Sequence, residues 1–180
     1  MDEVREDLRA LEDKTGKTFG GRENPVLVSV RSGSAMSMPG MMDTILNLGL
    51  NIDTLKALIA QTNNERFGWD AYRRFIQLFG KVALGVPDEE FDAEFEAVKE
   101  KAGVKEDMAL SARDLHEISD RFLDVVERVT GSSVPDDPME QLEIAIKAVF
   151  KSWTGKRAVD YRREFNITPE MANGTAVNVV

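Results

Sequence analysis

From Asp53 to Glu164 the apolar residues recur at helical spacing, and short breakers cut the stretch into segments of ordinary helix length. Asp53 is placed to cap a helix over residues 54–61. Gly68 and Gly80 bracket an apolar segment at 69–79, and Pro87 stands at the first turn of an acidic helix at 88–101. Ser111-Ala112-Arg113-Asp114 is close to a capping box. It heads a segment at 112–129 that carries Leu115, Phe122, Val125 and Val129 on one face and stops at Gly131. Asp137-Pro138 opens another at 139–153, where Leu142, Ile146, Val149, Phe150 and Trp153 fall at i, i+4, i+7, i+8 and i+11. Residues 158–165 add a shorter helix. A chain committed this heavily to amphipathic helices buries them against one another, and any sheet must come from the remainder.

The remainder is short. Residues 2–14 form a further amphipathic helix, with Val4, Leu8 and Leu11 at helical spacing, and they resemble the middle of a chain more than its start. Gly16, Gly20, Gly21 and Asn24-Pro25 then lead to Val26-Leu27-Val28-Ser29-Val30, an apolar run suited to a strand buried on both faces. Arg31 follows directly. A loop of small residues and methionines runs from Ser32 to Met42, and Asp43 or a neighbour is expected to open a short helix through Ile45-Leu46 that stops at Asn47-Leu48-Gly49. The tail 175–180 alternates weakly and is strand-like. Only the 26–30 run is a convincing partner for it, so part of a larger sheet is expected to be missing. The expected fold class is α+β, predominantly helical. The expected organisation is a partial binding subdomain at 1–52, a helical subdomain at 53–165 and a return segment at 166–180.

Composition removes several kinds of chemistry. Lys and Arg number 23 against 32 Asp and Glu, a formal net charge of −9, which opposes diffuse attraction to nucleic acid or anionic membranes. A phosphate site must therefore be local. The absence of cysteine excludes disulfides, thiolate metal sites and cysteine nucleophiles, and one histidine excludes a multi-histidine metal cluster within the chain. A carboxylate site for a hard cation stays open. No apolar run approaches the roughly 20 residues of a membrane-spanning helix. The acidic start also lacks the features of a secretory signal, so a cytoplasmic setting is expected.

One segment carries chemistry. Small residues after a buried strand let backbone N–H groups approach an anion, and a guanidinium at the strand end can grip phosphate oxygens as a fork. Arg31 and the loop around Gly40 have that form, and the expected helix after them would aim its N-terminus at the same anion. No Gly-Lys-Ser/Thr occurs, so this is not a Walker A loop. Met36, Met38, Met41 and Met42 suit either an adenine lining or gap-filling in a core. Arg73 and Arg74 are adjacent, about 100° apart on a helix, so only one can face a given ligand. Arg162-Arg163 fits a solvated face or ion pairs with Asp160 or Glu164. His116 reads as a surface helix residue, and Trp69 and Trp153 as core anchors. The acidic run at 88–100, with Phe91, Phe95 and Val98 on one stripe, reads as an amphipathic helix rather than a metal site.

The run from Thr15 to Gly20, the run from Asn24 to Gly33 and the stretch MPGMMDTILNLGL from Met38 to Leu50 closely resemble the pyruvate, phosphate dikinase family. The segments Phe67 to Gln77 and Asp160 to Ile167 resemble it too. The resemblance implies the ATP-grasp-like nucleotide-binding domain of a phosphotransferase, with a strand–phosphate-loop–helix element and an inserted helical subdomain. In that family the domain binds ATP and passes a phosphoryl group to a histidine on a separate domain. Arg31 matches the family's phosphate-contacting arginine; Ser37, Met38, Pro39, Gly40, Met41 and Met42 match its phosphate loop; Arg74 matches a second arginine near the polyphosphate. ATP and Mg²⁺ are the implied cofactors. The family's nucleotide-contacting lysine would precede Met1 and its magnesium ligands would follow Val180, so no catalytic residue and no metal ligand is assigned here. His116 does not match the family's phosphorylated histidine. The chain is expected to be a fragment that works with the remaining domains of a parent enzyme, with no nucleic acid or membrane partner. The alternative is a non-catalytic helical interaction module, or an inactive fragment, derived from such an enzyme.

Overall fold

A computed structural model describes residues 1–180. Helix α1 (Asp2–Thr15) leads through two short parallel strands, β1 (Thr18–Phe19) and β2 (Pro25–Val26), into β3 (Val28–Ser34) and β4 (Thr44–Leu48). Helices α2 (Ile52–Thr62), α3 (Glu65–Leu78), α4 (Asp88–Ala102), α5 (Ala112–Thr130), α6 (Pro138–Ser152) and α7 (Lys156–Glu164) follow, and β5 (Thr175–Val179) closes the chain. The class is α+β, and helices predominate. No helix is long and apolar enough to cross a membrane.

Local hydrogen bonds explain most helix ends. Ser111 and Asp114 form a reciprocal capping box at the start of α5, and Gly131 ends that helix in the left-handed conformation. Asp137 accepts from the Met139 N–H at 2.8 Å, with Pro138 in the first turn of α6. The cap of α2 is Asn51, not Asp53: Asn51 Oδ1 accepts from Thr54 N at 3.0 Å, while Thr54 Oγ1 accepts from Asn51 N at 2.8 Å. Asp53 lies inside the first turn and pairs with Arg22 at 2.9 Å.

Two glycines expected to stop helices do not. Gly68 sits inside α3, capped upstream by Asn64, and a Cβ there would lie 2.4 Å from Ile59 Cγ1. Gly80 lies in a π-helical turn (Phe79–Ala83) continuing α3, where a Cβ would meet Phe91 Cζ at 2.6 Å. Both are glycine because neighbouring helices approach closely.

The sheet departs most from expectation. Its order is β4-β3-β5, with β3 antiparallel to both neighbours. The segment after the loop is strand β4, not a helix. A one-turn helix fixes several residues for few hydrogen bonds, whereas Thr44 and Ile45 find a ladder waiting on β3. Ser32, Gly33 and Ser34, expected in the loop, belong to β3 because the tail pairs with them: Ser32 opposite Val177, Gly33 opposite Ala176, Ser34 opposite Thr175. The chain thus builds a three-stranded sheet rather than two poorly matched strands. β3 is not buried on both faces either, since Val28 and Val30 turn inward while Arg31 is exposed.

The inner face of the sheet meets α6, and α3 packs on β4 and on α5. One continuous apolar core joins Val28, Val30, Ile45 and Leu48 to the helical side chains Phe75, Phe79, Phe91 and Phe122. Phe91 and Phe122 meet edge-on at 4.9 Å. Val129 and Phe150, assigned to buried stripes by spacing, are 40% and 48% exposed, at the margins of that core.

Candidate functional site

Strand alternation builds the site. With Val28 and Val30 inward, Ser29, Arg31 and Gly33 point to the outer face of the sheet. Arg31 stands opposite Thr44 on one side and Asn178 on the other. Other arginines are engaged: Arg157 is paired with Asp43, and Arg74 with Asp70. Arg31 is exposed on the strand and has no carboxylate partner, although the chain is strongly acidic.

The loop at 35–43 joins β3 to β4 as a long hairpin connection. At its tip Met41 N donates to Met38 O at 3.2 Å, and Gly40 has φ +71°. Pro39 presets the first central position and Gly40 takes the positive φ of the second, which is a type II turn. A Cβ on Gly40 would meet nothing within 4 Å, so backbone torsion rather than crowding requires glycine there. Ser37, Pro39 and Gly40 are exposed, Met41 and Met42 half-buried, and Met38 is buried at 6% beneath the turn.

The loop's far end is fixed by contacts that no local pattern signals. Asp43 N donates to Ser152 Oγ at 3.3 Å, and Arg157 Nη2 donates to Asp43 Oδ1 at 2.6 Å. Because β4 replaces the expected helix, the helix N-terminus expected directly after this loop does not form. Loop amides and the Arg31 guanidinium are among the donors available to an anion on this face.

The arginines of α3 diverge as helical geometry requires. Arg73 is buried, donates to Asp70 Oδ1 at 2.8 Å and lies 4.9 Å over the Phe95 ring. Arg74 remains 61% exposed, and its Nε donates to Asp70 Oδ2 at 2.9 Å. Its helix runs beside β4, where Asn47 Nδ2 reaches Ala71 O at 3.5 Å. Arg74 itself contacts neither Arg31 nor the loop. Arg162 is stacked on Trp153 at 4.0 Å and donates to its carbonyl at 2.9 Å, so Trp153 is a platform for a cation. Arg163 reaches Asp160 at 3.6 Å. His116 is half-exposed and stacks on Trp69 with centroids 3.9 Å apart. No three carboxylate or imidazole side chains converge where they could hold a metal ion.

Fold and face together define an α+β domain with an exposed, uncompensated cation on a strand that leads into a glycine turn. The chain belongs to the pyruvate phosphate dikinase AMP/ATP-binding domain family, whose model matches residues 1–180. It is 61% identical to pyruvate, phosphate dikinase of Entamoeba histolytica, over all of this chain and 20% of that protein. Identity to the Giardia intestinalis enzyme of that name is 52%, over 99% of this chain and 20% of the relative. For the Clostridium symbiosum enzyme it is 48%, with the same coverage. The chain therefore spans about a fifth of the length of these curated relatives.

Proposed function

We propose that this chain is the ATP-binding part of a pyruvate, phosphate dikinase, the enzyme that converts ATP, phosphate and pyruvate to AMP, pyrophosphate and phosphoenolpyruvate. The observation that carries this reading is the unpaired Arg31 guanidinium on the outer face of β3, the strand that runs into the loop with the Gly40 turn. A transferring phosphoryl group needs positioning and positive charge more than it needs a nucleophile from the domain that holds it. Arg31 supplies the fork; the backbone of Ser37, Met38, Gly40 and Met42 supplies amide donors; Pro39 and the Met41 amide, which donates to Met38 O, shape the turn; Arg74 adds charge from α3.

On this reading the fold is the ATP-grasp-like domain of the parent enzyme. Residues 1–52 form part of the nucleotide-binding subdomain, 53–165 a helical subdomain, and 166–180 the return into the sheet. The phosphoryl acceptor is a histidine on another domain, and the remaining domains are the chain's partners in a cytoplasmic enzyme. On this reading the magnesium ligands, like the acceptor, are supplied by the rest of the enzyme.

Calorimetric titration of the chain with Mg-ATP tests the proposal, with Arg31→Ala run alongside. Saturable binding is expected in the parent, weakened in the variant by about 1.5–3 kcal/mol, the scale of hydrogen bonds to a charged group. Equal affinity in the two proteins overturns the role of Arg31.

A further inference from the structure

We infer that Asn178 is a second side-chain ligand of the anion held by Arg31, donating through its carboxamide from the neighbouring strand. The inference rests on the phosphate-binding role proposed for Arg31, and it concerns a residue which the sequence motifs do not single out.

Three observations converge on it. Asn178 is the direct register partner of Arg31 in the antiparallel β3–β5 ladder. Partners of this kind stand about 4.5–5.5 Å apart at Cα and project from the same face. Both are exposed, while Val177 and Val179, on either side of Asn178, pack toward the core. Second, the Asn178 carboxamide lies across Gly33, two residues on from Arg31 on that face: a Cβ at Gly33 would stand 2.5 Å from Asn178 Nδ2 and 3.4 Å from Cγ. The amide is therefore directed along the outer face, from the Arg31 row toward the end of β3 where the loop begins. Third, Gly33 faces Ala176, so the surface beyond the Arg31 row is floored by backbone and a methyl group.

Asparagine is a poor strand former, and here it caps no helix and closes no turn. An uncharged N–H donor beside a guanidinium suits a polyphosphate. It adds a hydrogen bond to an oxygen that the cation leaves free, without a second positive charge to be desolvated. Thr44, the partner of Arg31 on its other side, places a hydroxyl in the same row. The row Thr44, Arg31, Asn178 thus offers a hydroxyl, a fork and an amide across three adjacent strands. Gly33 is the position that leaves the amide room.

The test is NMR titration of the ¹⁵N-labelled 180-residue chain with ATP and, separately, with inorganic tripolyphosphate. Parent, Asn178→Ala and Asn178→Asp are compared, and backbone amide spectra verify the fold of each. The Asn178 side-chain NH₂ pair and the Arg31 Nε–H are expected to shift along one binding curve for both ligands. Asn178→Ala should weaken binding about tenfold, and Asn178→Asp, which replaces the donor by a negative charge, should weaken it further. Shifts at Arg31 and the loop with a static Asn178 pair, and parent-like affinity in Asn178→Ala, overturn this inference while leaving the phosphate role of Arg31 standing. Binding that leaves Arg31 and Asn178 both unmoved, or no binding by the folded parent, overturns both.

Discussion

Asp43 and Arg157 are 114 residues apart in sequence, and Arg157 Nη2 stands 2.6 Å from Asp43 Oδ1. This contact, with the Ser152 hydroxyl on the Asp43 amide, ties the end of the Met-rich loop to the α6–α7 corner. The hairpin connection is therefore anchored at Asp43 and free at its tip, where Pro39 and Gly40 face solvent.

Arg157→Ala should separate loop order from global stability. The Arg157 side chain is 62% exposed, so its ion pair contributes at most about 1 kcal/mol and the thermal midpoint should hardly move. Deuterium uptake at residues 37–43 should rise, because an anchor of the loop is gone. Unchanged exchange there would show that the Ser152 contact and strand pairing hold the loop without Arg157.

Gln141 is the polar pivot beneath the sheet. Fully buried on α6, it accepts from Gly49 N at 3.0 Å and donates to Leu50 O at 2.9 Å and Pro135 O at 2.7 Å. Gln141→Leu keeps the approximate volume but leaves these backbone groups without partners. It should destabilise the fold by about 2–4 kcal/mol in urea unfolding. A loss below about 0.5 kcal/mol would mean that water or backbone shifts replace all three bonds.

Tyr72 makes the chain sensitive to strong base. Burial first, then the charges of Asp136 and Asp120, push its phenol up from 10.0 to about 12. The folded pKa lies above the unfolded one, so the stabilisation is fully present below pH 10. It is lost as pH rises toward 12, because the unfolded chain releases the proton first. The loss over that window should be about 2–3 kcal/mol. Urea unfolding at intervals from pH 9 to 12 measures the slope, and tyrosinate absorbance at 295 nm follows the ionisation. Tyr72→Phe should flatten the slope; if it does not, other groups carry the alkaline transition.

The parts of this protein that were legible in its sequence are those decided within about four residues. Ser111 with Asp114, Asp137 with Pro138, and Gly131 set helix ends through hydrogen bonds and torsions that their own neighbours complete. The Met38-Pro39-Gly40-Met41 turn, expected only as part of a loop, is local in the same sense, since proline and glycine preset its two central torsions. Helical angle alone separated Arg73 from Arg74. The family resemblance, carried by the runs at 15–20, 24–33, 38–50, 67–77 and 160–167, is borne out by the match over the whole chain.

Tertiary structure decided the rest. Thr44 to Leu48 is a strand only because β3 offers it a ladder, and the tail is a strand only because β3 has a second edge. Ser29 and Val180, 151 residues apart, exchange backbone hydrogen bonds at the end of that second ladder. Gly68 and Gly80, read as breakers from their type, are contact points between helices. Asn178 joins the Arg31 row through register, and Asp43 meets Arg157 through the docking of α7. Caps and turns are satisfied by groups a few bonds away, so sequence alone determines them. Strand pairing and close packing depend on groups brought together only by the folded core, and no local pattern records which ones will meet.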